Sequence, residues 1–172
     1  MDGRELSEES LKEAALRHLE RYSTTAVSLK GVLLRRVRRR TKDEAQRALA
    51  IQAIERIVVR LAEVGLLDDR AYAERRAEVL HRQGKSLRVV CADLMAKGVA
   101  RPLAVEVVTA FEQKLGDPDL SAALAYAKKR RLGPYRMEDR DAHARGDATK
   151  LLRRGFDWDV VERVLRAPAS GQ

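Results

Sequence analysis

Apolar residues recur along this chain at three- and four-residue steps, the spacing of one face of an α-helix. Leu11, Ala15, Leu19 and Tyr22 form the first stripe, behind a capping-box start at Ser10 and Glu13. The cluster Ser23 to Thr25 interrupts it, and Thr25 can cap a second helix carrying Leu29 and Leu33. A longer stripe, Ala50, Ile54, Ile57, Val58 and Leu61, stops at Gly65. The pattern then starts again. Asp68 and Asp69 cap a helix lined by Tyr72, Ala73, Ala77 and Leu80, which Gly84 ends. Ser86 caps the next, with Val90 and Leu94 leading to Gly98. Pro102 opens a third, lined by Ala104, Val108, Phe111 and Leu115 and ended by Gly116. A last round starts at Asp119, runs to Arg131 before Gly133-Pro134, and continues in a helix that reaches Arg154 and Gly155. Asp157 caps its short final helix, with Val160, Val161, Val164 and Leu165. No segment alternates apolar and polar residues with β-branched enrichment, so no strand is predicted. The spacing predicts an all-α protein of nine helices in three three-helix units, 1–65, 66–116 and 117–172. Helices of this length are marginal alone, so each unit needs a packed centre.

Repetition is visible in the letters as well as in the pattern. Leu-Leu-Arg-Arg occurs at Leu33 to Arg36 and at Leu151 to Arg154, with a degenerate copy at Leu94-Met95-Ala96-Lys97. His18, Tyr72 and Tyr126, each inside a related heptapeptide, are spaced by 54 residues. Such self-similarity marks a repeat architecture, in which Leu33, Leu94 and Leu151 are equivalent core positions and function belongs to a long surface rather than a pocket.

Charge changes this picture most. Hydrophobic residues make up 45% of the chain and charged residues 35%, so a core is attainable under a densely ionic surface. Lys and Arg outnumber Asp and Glu by 35 to 26, a net charge of +9 that points to a polyanionic partner. Aromatics are only 4%, too few for a single-strand platform of stacking rings. One cysteine, Cys91, excludes an intrachain disulfide. No secretory signal is visible and no apolar run is long enough for a bilayer. The expectation is a cytoplasmic protein without a membrane partner.

Candidate catalytic chemistry is thin. Gly84-Lys85-Ser86 resembles the end of a phosphate loop, but Val79 stands where the loop's first Gly belongs and no strand precedes it. Cys91 lies on the apolar stripe with Leu87, Val90 and Leu94 and reads as a core residue. His18, His81 and His143 share no ligand spacing, so neither a metal nor any other cofactor is expected. The pairs Asp68-Asp69, Asp117/Asp119 and Asp157/Asp159 lie at helix starts, where capping accounts for them. Trp158 is expected to anchor the last helix by packing. No enzyme is indicated. The basic clusters differ, because dipole complementation needs one or two cations and more repel one another unless a partner neutralises them. Arg35, Arg36, Arg38, Arg39 and Arg40 place five arginines in six residues, and Lys128, Lys129, Arg130 and Arg131 recur near an equivalent place, as do Arg153 and Arg154. Arginine's planar fork suits phosphate or carboxylate.

Three segments stand in order along the chain: Gly65-Leu66-Leu67-Asp68-Asp69-Arg70-Ala71-Tyr72-Ala73 with Gly84-Lys85-Ser86, then Leu94-Met95-Ala96-Lys97-Gly98-Val99, then Leu151-Leu152-Arg153-Arg154-Gly155-Phe156. Together they resemble the RecX family of regulators of the RecA recombinase. The resemblance implies an elongated array of tandem three-helix units without catalytic activity, and a monomer is expected. It also implies binding to the RecA–DNA filament, with contacts to RecA and to single- or double-stranded DNA without sequence preference. RecA ATPase, strand exchange and coprotease activity would be dampened, and with them recombinational repair and the SOS response. On that reading the three basic clusters contact phosphate or acidic RecA surface. The chain departs from the family pattern at Val37, where Gly is usual, and 28 residues separate Val37 from Gly65 against 18 from Gly98 to Gly116. The extra length is either a longer helix or a charged loop. The competing reading is a sequence-specific transcription regulator built from trihelical units. It lacks support in a chain without a single Asn to read base edges and without a clear dimerisation helix.

Overall fold

A computed structural model describes residues 6–168. Among them lie nine α-helices and no strand: α1 (Glu8–Leu19), α2 (Ala26–Arg40), α3 (Glu44–Glu63), α4 (Asp69–Arg82), α5 (Leu87–Ala96), α6 (Arg101–Leu115), α7 (Pro118–Arg130), α8 (Arg140–Leu152) and α9 (Trp158–Arg166). A 3-10 turn, Gly133–Tyr135, separates α7 from α8. The chain divides into two compact units. One holds the chain up to Tyr72 with the segment Lys97–Val99, and the other holds Ala73–Ala96 and the chain from Ala100.

In the first unit the predicted stripes meet. Leu11, Ala15, Leu29, Leu33, Ile54, Ile57 and Leu61 are buried together, the non-directional gain that makes three short helices hold one another. Thr25 caps α2 as expected, its hydroxyl accepting from Ser28 N at 3.1 Å. The first helix starts earlier than the capping-box reading placed it. Ser7, not Ser10, is the cap, with Ser7 Oγ accepting from Ser10 N at 3.2 Å. The helix also ends at Leu19, which leaves Tyr22 59% exposed. The long segment after Val37 resolves into helix on both sides: α2 continues to Arg40 and only Thr41 to Asp43 intervene before α3. That turn is well bonded, with Asp43 Oδ1 accepting from Ala45 N at 2.8 Å and Gln46 N at 3.1 Å, and Arg47 Nε donating to Thr41 O at 3.0 Å.

The second unit buries Ala73, Ala77, Leu80, Val90, Leu94, Ala104 and Val107 along α4 to α6. A further cluster, Ala122, Ala123, Ala127, Leu132, Leu151, Phe156, Val161 and Val164, lies along α7 to α9. Four expectations change here. Phe156, at 1% exposure, anchors the last helix, whereas Trp158 is 60% exposed. Cys91 is half-buried rather than in the core, and Leu115 is 45% exposed at the end of α6. Asp117, not Asp119, caps α7, its carboxylate accepting from Leu120 N at 3.1 Å.

Asp119 has another job, and the same job is done in the first unit by Asp69. Asp69 Oδ1 accepts from Ala26 N, the first amide of α2, at 2.9 Å. Asp119 Oδ1 accepts from Leu87 N, the first amide of α5, at 2.7 Å. In both places the buried cap residue completes the joint, through its hydroxyl in one and its backbone amide in the other. Thr25 Oγ1 donates to Lys97 O at 2.6 Å, and Ser86 N donates to Arg154 O at 3.3 Å. In both the next residue is a glycine at positive φ, Gly98 at 88° and Gly155 at 94°. A Cβ on Gly98 would come to 2.6 Å of Val27 Cβ, and one on Gly155 to 2.3 Å of Val89 Cγ2. Only glycine fits. Val37, which takes this place along α2, instead points into its own core at 2% exposure, so the helix is free to run on. The caps Ser7 and Asp68, the caps Thr25 and Ser86, and the buried Leu33 and Leu94 are each 61 positions apart. The 54-residue spacing of His18, Tyr72 and Tyr126 is therefore not the register in which the helices correspond.

Candidate functional site

The five clustered arginines lie on the last turns of α2, in the first unit. Arg35, Arg38, Arg39 and Arg40 are exposed and Arg36 is half-buried, with Val37 turned inward between them. They favour the negative end of the helix dipole, and the bonded Thr41 to Asp43 turn holds that end in place. Beside them the first turns of α3 are exposed as far as Leu49, at 67%, save for the half-buried Arg47. Lower on the same helix pair, Lys30 Nζ reaches Glu55 Oε1 at 2.7 Å, so that cation is already neutralised.

In the second unit two of the predicted clusters converge. Arg154 lies over the ring of Tyr126, its guanidinium carbon 4.4 Å from the ring centroid. Burial raises the Tyr126 phenol, but hydrogen bonds from Arg154 and Arg130 more than offset this and leave it below its ordinary value. Tyr126, Lys129, Arg130 and Arg154 line a cleft of about 260 Å³ with Arg82 and Gly84 at the end of α4. A Cβ on Gly84 would stand 2.8 Å from Tyr126 Cβ, so the glycine is what lets the backbone seat against the tyrosine. A neighbouring hollow is lined by Lys129, Arg130, Arg131, Leu132 and Lys150. Among the described residues, none of Arg82, Lys129, Arg130, Arg131 or Arg154 forms an ion pair with a carboxylate. Lys128 and Arg153 are exposed but line neither hollow.

One residue that pattern reasoning missed holds this surface. Asp147, fully buried on α8, accepts from Gly133 N at 2.9 Å, from Arg136 Nε at 2.7 Å and Nη2 at 2.9 Å, and from Lys150 Nζ at 3.2 Å. Burial alone would raise its carboxyl, but these bonds, with Arg136 foremost, hold it down at about 2. Asp147 thereby fixes the chain just after α7, where Arg131 takes a left-handed conformation at φ 52° and the helix releases Lys129 to Arg131 toward solvent. Arg82, Gly84 and Tyr126 were likewise not singled out as site residues. The signals present, the Gly84 helix stop and the recurrence of Tyr126, say nothing of what lies against them.

Among the described residues no group of His, Cys, Asp and Glu could hold a metal ion. No helix among them is long and apolar enough to cross a membrane.

Comparison with known proteins bears on all of this. Residues 68–108 match the family model described as RecX, second three-helix domain. The chain is 36% identical over 165 residues to the regulatory protein RecX of Myxococcus xanthus (strain DK1622), covering 94% of this chain and 87% of that protein. It is 31% identical over 156 residues to the regulatory protein RecX of Agrobacterium fabrum, covering 90% and 80%. In fold it is similar to the crystal structure of RecX from Lactobacillus salivarius, with a TM-score of 0.68 at 20% identity over 92% of this chain and 94% of that one.

Proposed function

Since the chain belongs to the RecX family, we propose that it is a non-catalytic regulator that binds the RecA–DNA filament. There it lowers RecA ATPase, strand exchange and coprotease activity, and so tempers recombinational repair and the SOS response. What supports this reading beyond kinship is the concentration of guanidinium groups without counter-charge in the cleft around Tyr126. Unneutralised like charges gathered at one place cost free energy in the free protein and recover it when a polyanion arrives. A nucleoprotein filament offers phosphates along its length. The basic end of α2, Arg35, Arg36, Arg38, Arg39 and Arg40, serves as a second contact, and Lys128 to Arg131 with Arg153 and Arg154 form the first.

The test is RecA ATP turnover on single-stranded DNA, with and without the full chain. Turnover falls as the protein approaches stoichiometry with RecA. Undiminished turnover at saturating protein would sink the proposal. Charge reversal of Arg35, Arg36, Arg38, Arg39 and Arg40 weakens the inhibition and flattens its salt dependence.

A further inference from the structure

The cleft of the second unit is more specific in its chemistry than a patch of positive charge. We propose that Arg82, Lys129 and Arg130, arranged around Tyr126 and Arg154, form a seat for the phosphodiester backbone of nucleic acid. It grips phosphates and leaves the bases unread. The inference rests on the reading above, that the chain works on a DNA-bearing filament, and it assigns a DNA contact to Arg82, a residue outside the three basic runs of the sequence.

Three observations lead to phosphate rather than to bases or to an acidic protein surface. The first is what has become of the aromatic ring. A base needs an open face of Tyr126 to stack on, but Arg154 occupies one face at 4.4 Å, and the Gly84 backbone is packed so closely that a Cβ there would stand 3.3 Å from ring atoms Cγ and Cδ2. The ring is spent on holding Arg154. The second is the lining. Protein partners are gripped chiefly by aromatic or aliphatic anchors in apolar pockets, whereas Tyr126 and Ala125 are the only apolar side chains here and the remaining walls are Arg, Lys, Gln and glycine backbone. The third is the disposition of charge. The cations come from two helix ends, Arg82 from α4 and Lys129 with Arg130 from α7, and from Arg154 just after α8. Cations on separate elements around a channel suit successive charges along a strand better than a single carboxylate. The ring adds pre-organisation, since Arg154 is held over it at 4.4 Å, so less side-chain freedom is lost when phosphate arrives.

Arg82 and Lys129 are exposed and have no carboxylate partner among the described residues, so their replacement leaves the fold intact. The experiment titrates the full chain carrying R82Q and K129Q into labelled oligodeoxythymidylate and, separately, into a labelled duplex, reading anisotropy over a range of salt. Relative to the unmodified chain, affinity for the single strand falls about tenfold at low salt. The slope of log affinity against log salt becomes shallower by about 1.4, two contacts at about 0.7 each. For a duplex the change in slope is about 1.8, and the arm that changes tells which form the cleft takes. A control pair, R60Q and R166Q, removes cations already matched by Glu63 and Glu162 and leaves the slope alone. Circular dichroism confirms that the helices persist in both. Unchanged affinity and slope on both nucleic acids overturns the proposal. If both are unchanged while inhibition of RecA is lost, the cleft reads an acidic protein surface, and the phosphate assignment fails with the regulatory function intact. If the unmodified chain leaves RecA turnover untouched yet binds oligonucleotide with the expected slopes, the regulatory reading fails and the phosphate seat stands.

Discussion

Replacing Asp147 by Asn is the sharpest probe of the second unit, because one buried carboxylate holds the chain after α7 through four hydrogen bonds. A carboxyl titrating at about 2 in the folded chain instead of its ordinary 3.8 makes the ionised form worth about 2 kcal/mol to folding, at about 1.4 kcal/mol per tenfold change in proton affinity. The folded pKa is depressed, so this contribution is fully present above the unfolded pKa, near 4. It is lost as pH falls through the folded value, near 2. Asn fills the same volume and keeps an acceptor for Gly133 N–H, but it leaves the Arg136 guanidinium without its counter-charge; the loss is therefore about 2 kcal/mol or somewhat more at neutral pH. Trp158 is the single tryptophan, 60% exposed at the start of α9 in the same unit, and its emission reports urea unfolding there. The stability difference between the two proteins should be about 2 kcal/mol at pH 7 and should shrink as pH is taken from 4 toward 2. A difference that is absent at pH 7, or that persists undiminished near pH 2, refutes the assignment of Asp147 as the charged tie.

Other substitutions follow from the same geometry. Gly155→Ala drives a Cβ into Val89 and Ser86 at positive φ and should cost several kcal/mol, whereas Gly65→Ala, also at positive φ but with nothing within 4 Å, should cost only about 1–2 kcal/mol of backbone strain. Urea midpoints compare the two, and equal losses would remove the steric account of the joint. Asp69→Ala and Asp119→Ala each take a carboxylate from the first amide of a helix, α2 and α5 respectively, and should lower stability by about 0.5–2 kcal/mol. Hydrogen exchange at Ala26 and Leu87 localises the effect, and protection unchanged at those amides would count against it. Replacing Tyr126 by Leu frees Arg154 from its ring and should weaken oligonucleotide binding while leaving helix content as it is. Replacement by Phe, which keeps the ring, should weaken binding less.

What could be read from the letters was the local part of the structure. A helix stripe is a property of neighbours three and four apart, so Leu29 and Leu33, or Val161 and Val164, announced their own burial. The buried Leu33, Leu94 and Leu151 matched as equivalent core positions for the same reason. Errors arose where two nearby residues could fill one role, as with Ser7 against Ser10 and Asp117 against Asp119. Only the actual entry of the chain into the helix chooses between such neighbours. Phe156 rather than Trp158 is the anchor, and the pattern does not say which large ring beside the five-residue loop between α8 and α9 turns inward. Asp147 was invisible because its meaning lies in Gly133 and Arg136, which reach it from another element. The basic runs were legible as charge, but the cleft was not, since Arg82 and Gly84 join Tyr126 only through tertiary packing.

The two joints also bear on how such a chain comes off the ribosome. Ala26 N waits for Asp69, 43 residues downstream, and Thr25 for Lys97, 72 downstream. Leu87 waits for Asp119, 32 residues on, and Arg88 donates to Gly155 O, 67 residues on. Every one of these partners lies later in the chain, so α2 and α5 emerge with only their local caps, Thr25 and Ser86, and their first amides are satisfied only by what is synthesised after them. A nascent chain halted just past α3 would hold its first hydrophobic core and still leave the start of α2 open to water. The protein is finished from the back, each early stretch being locked by a later one.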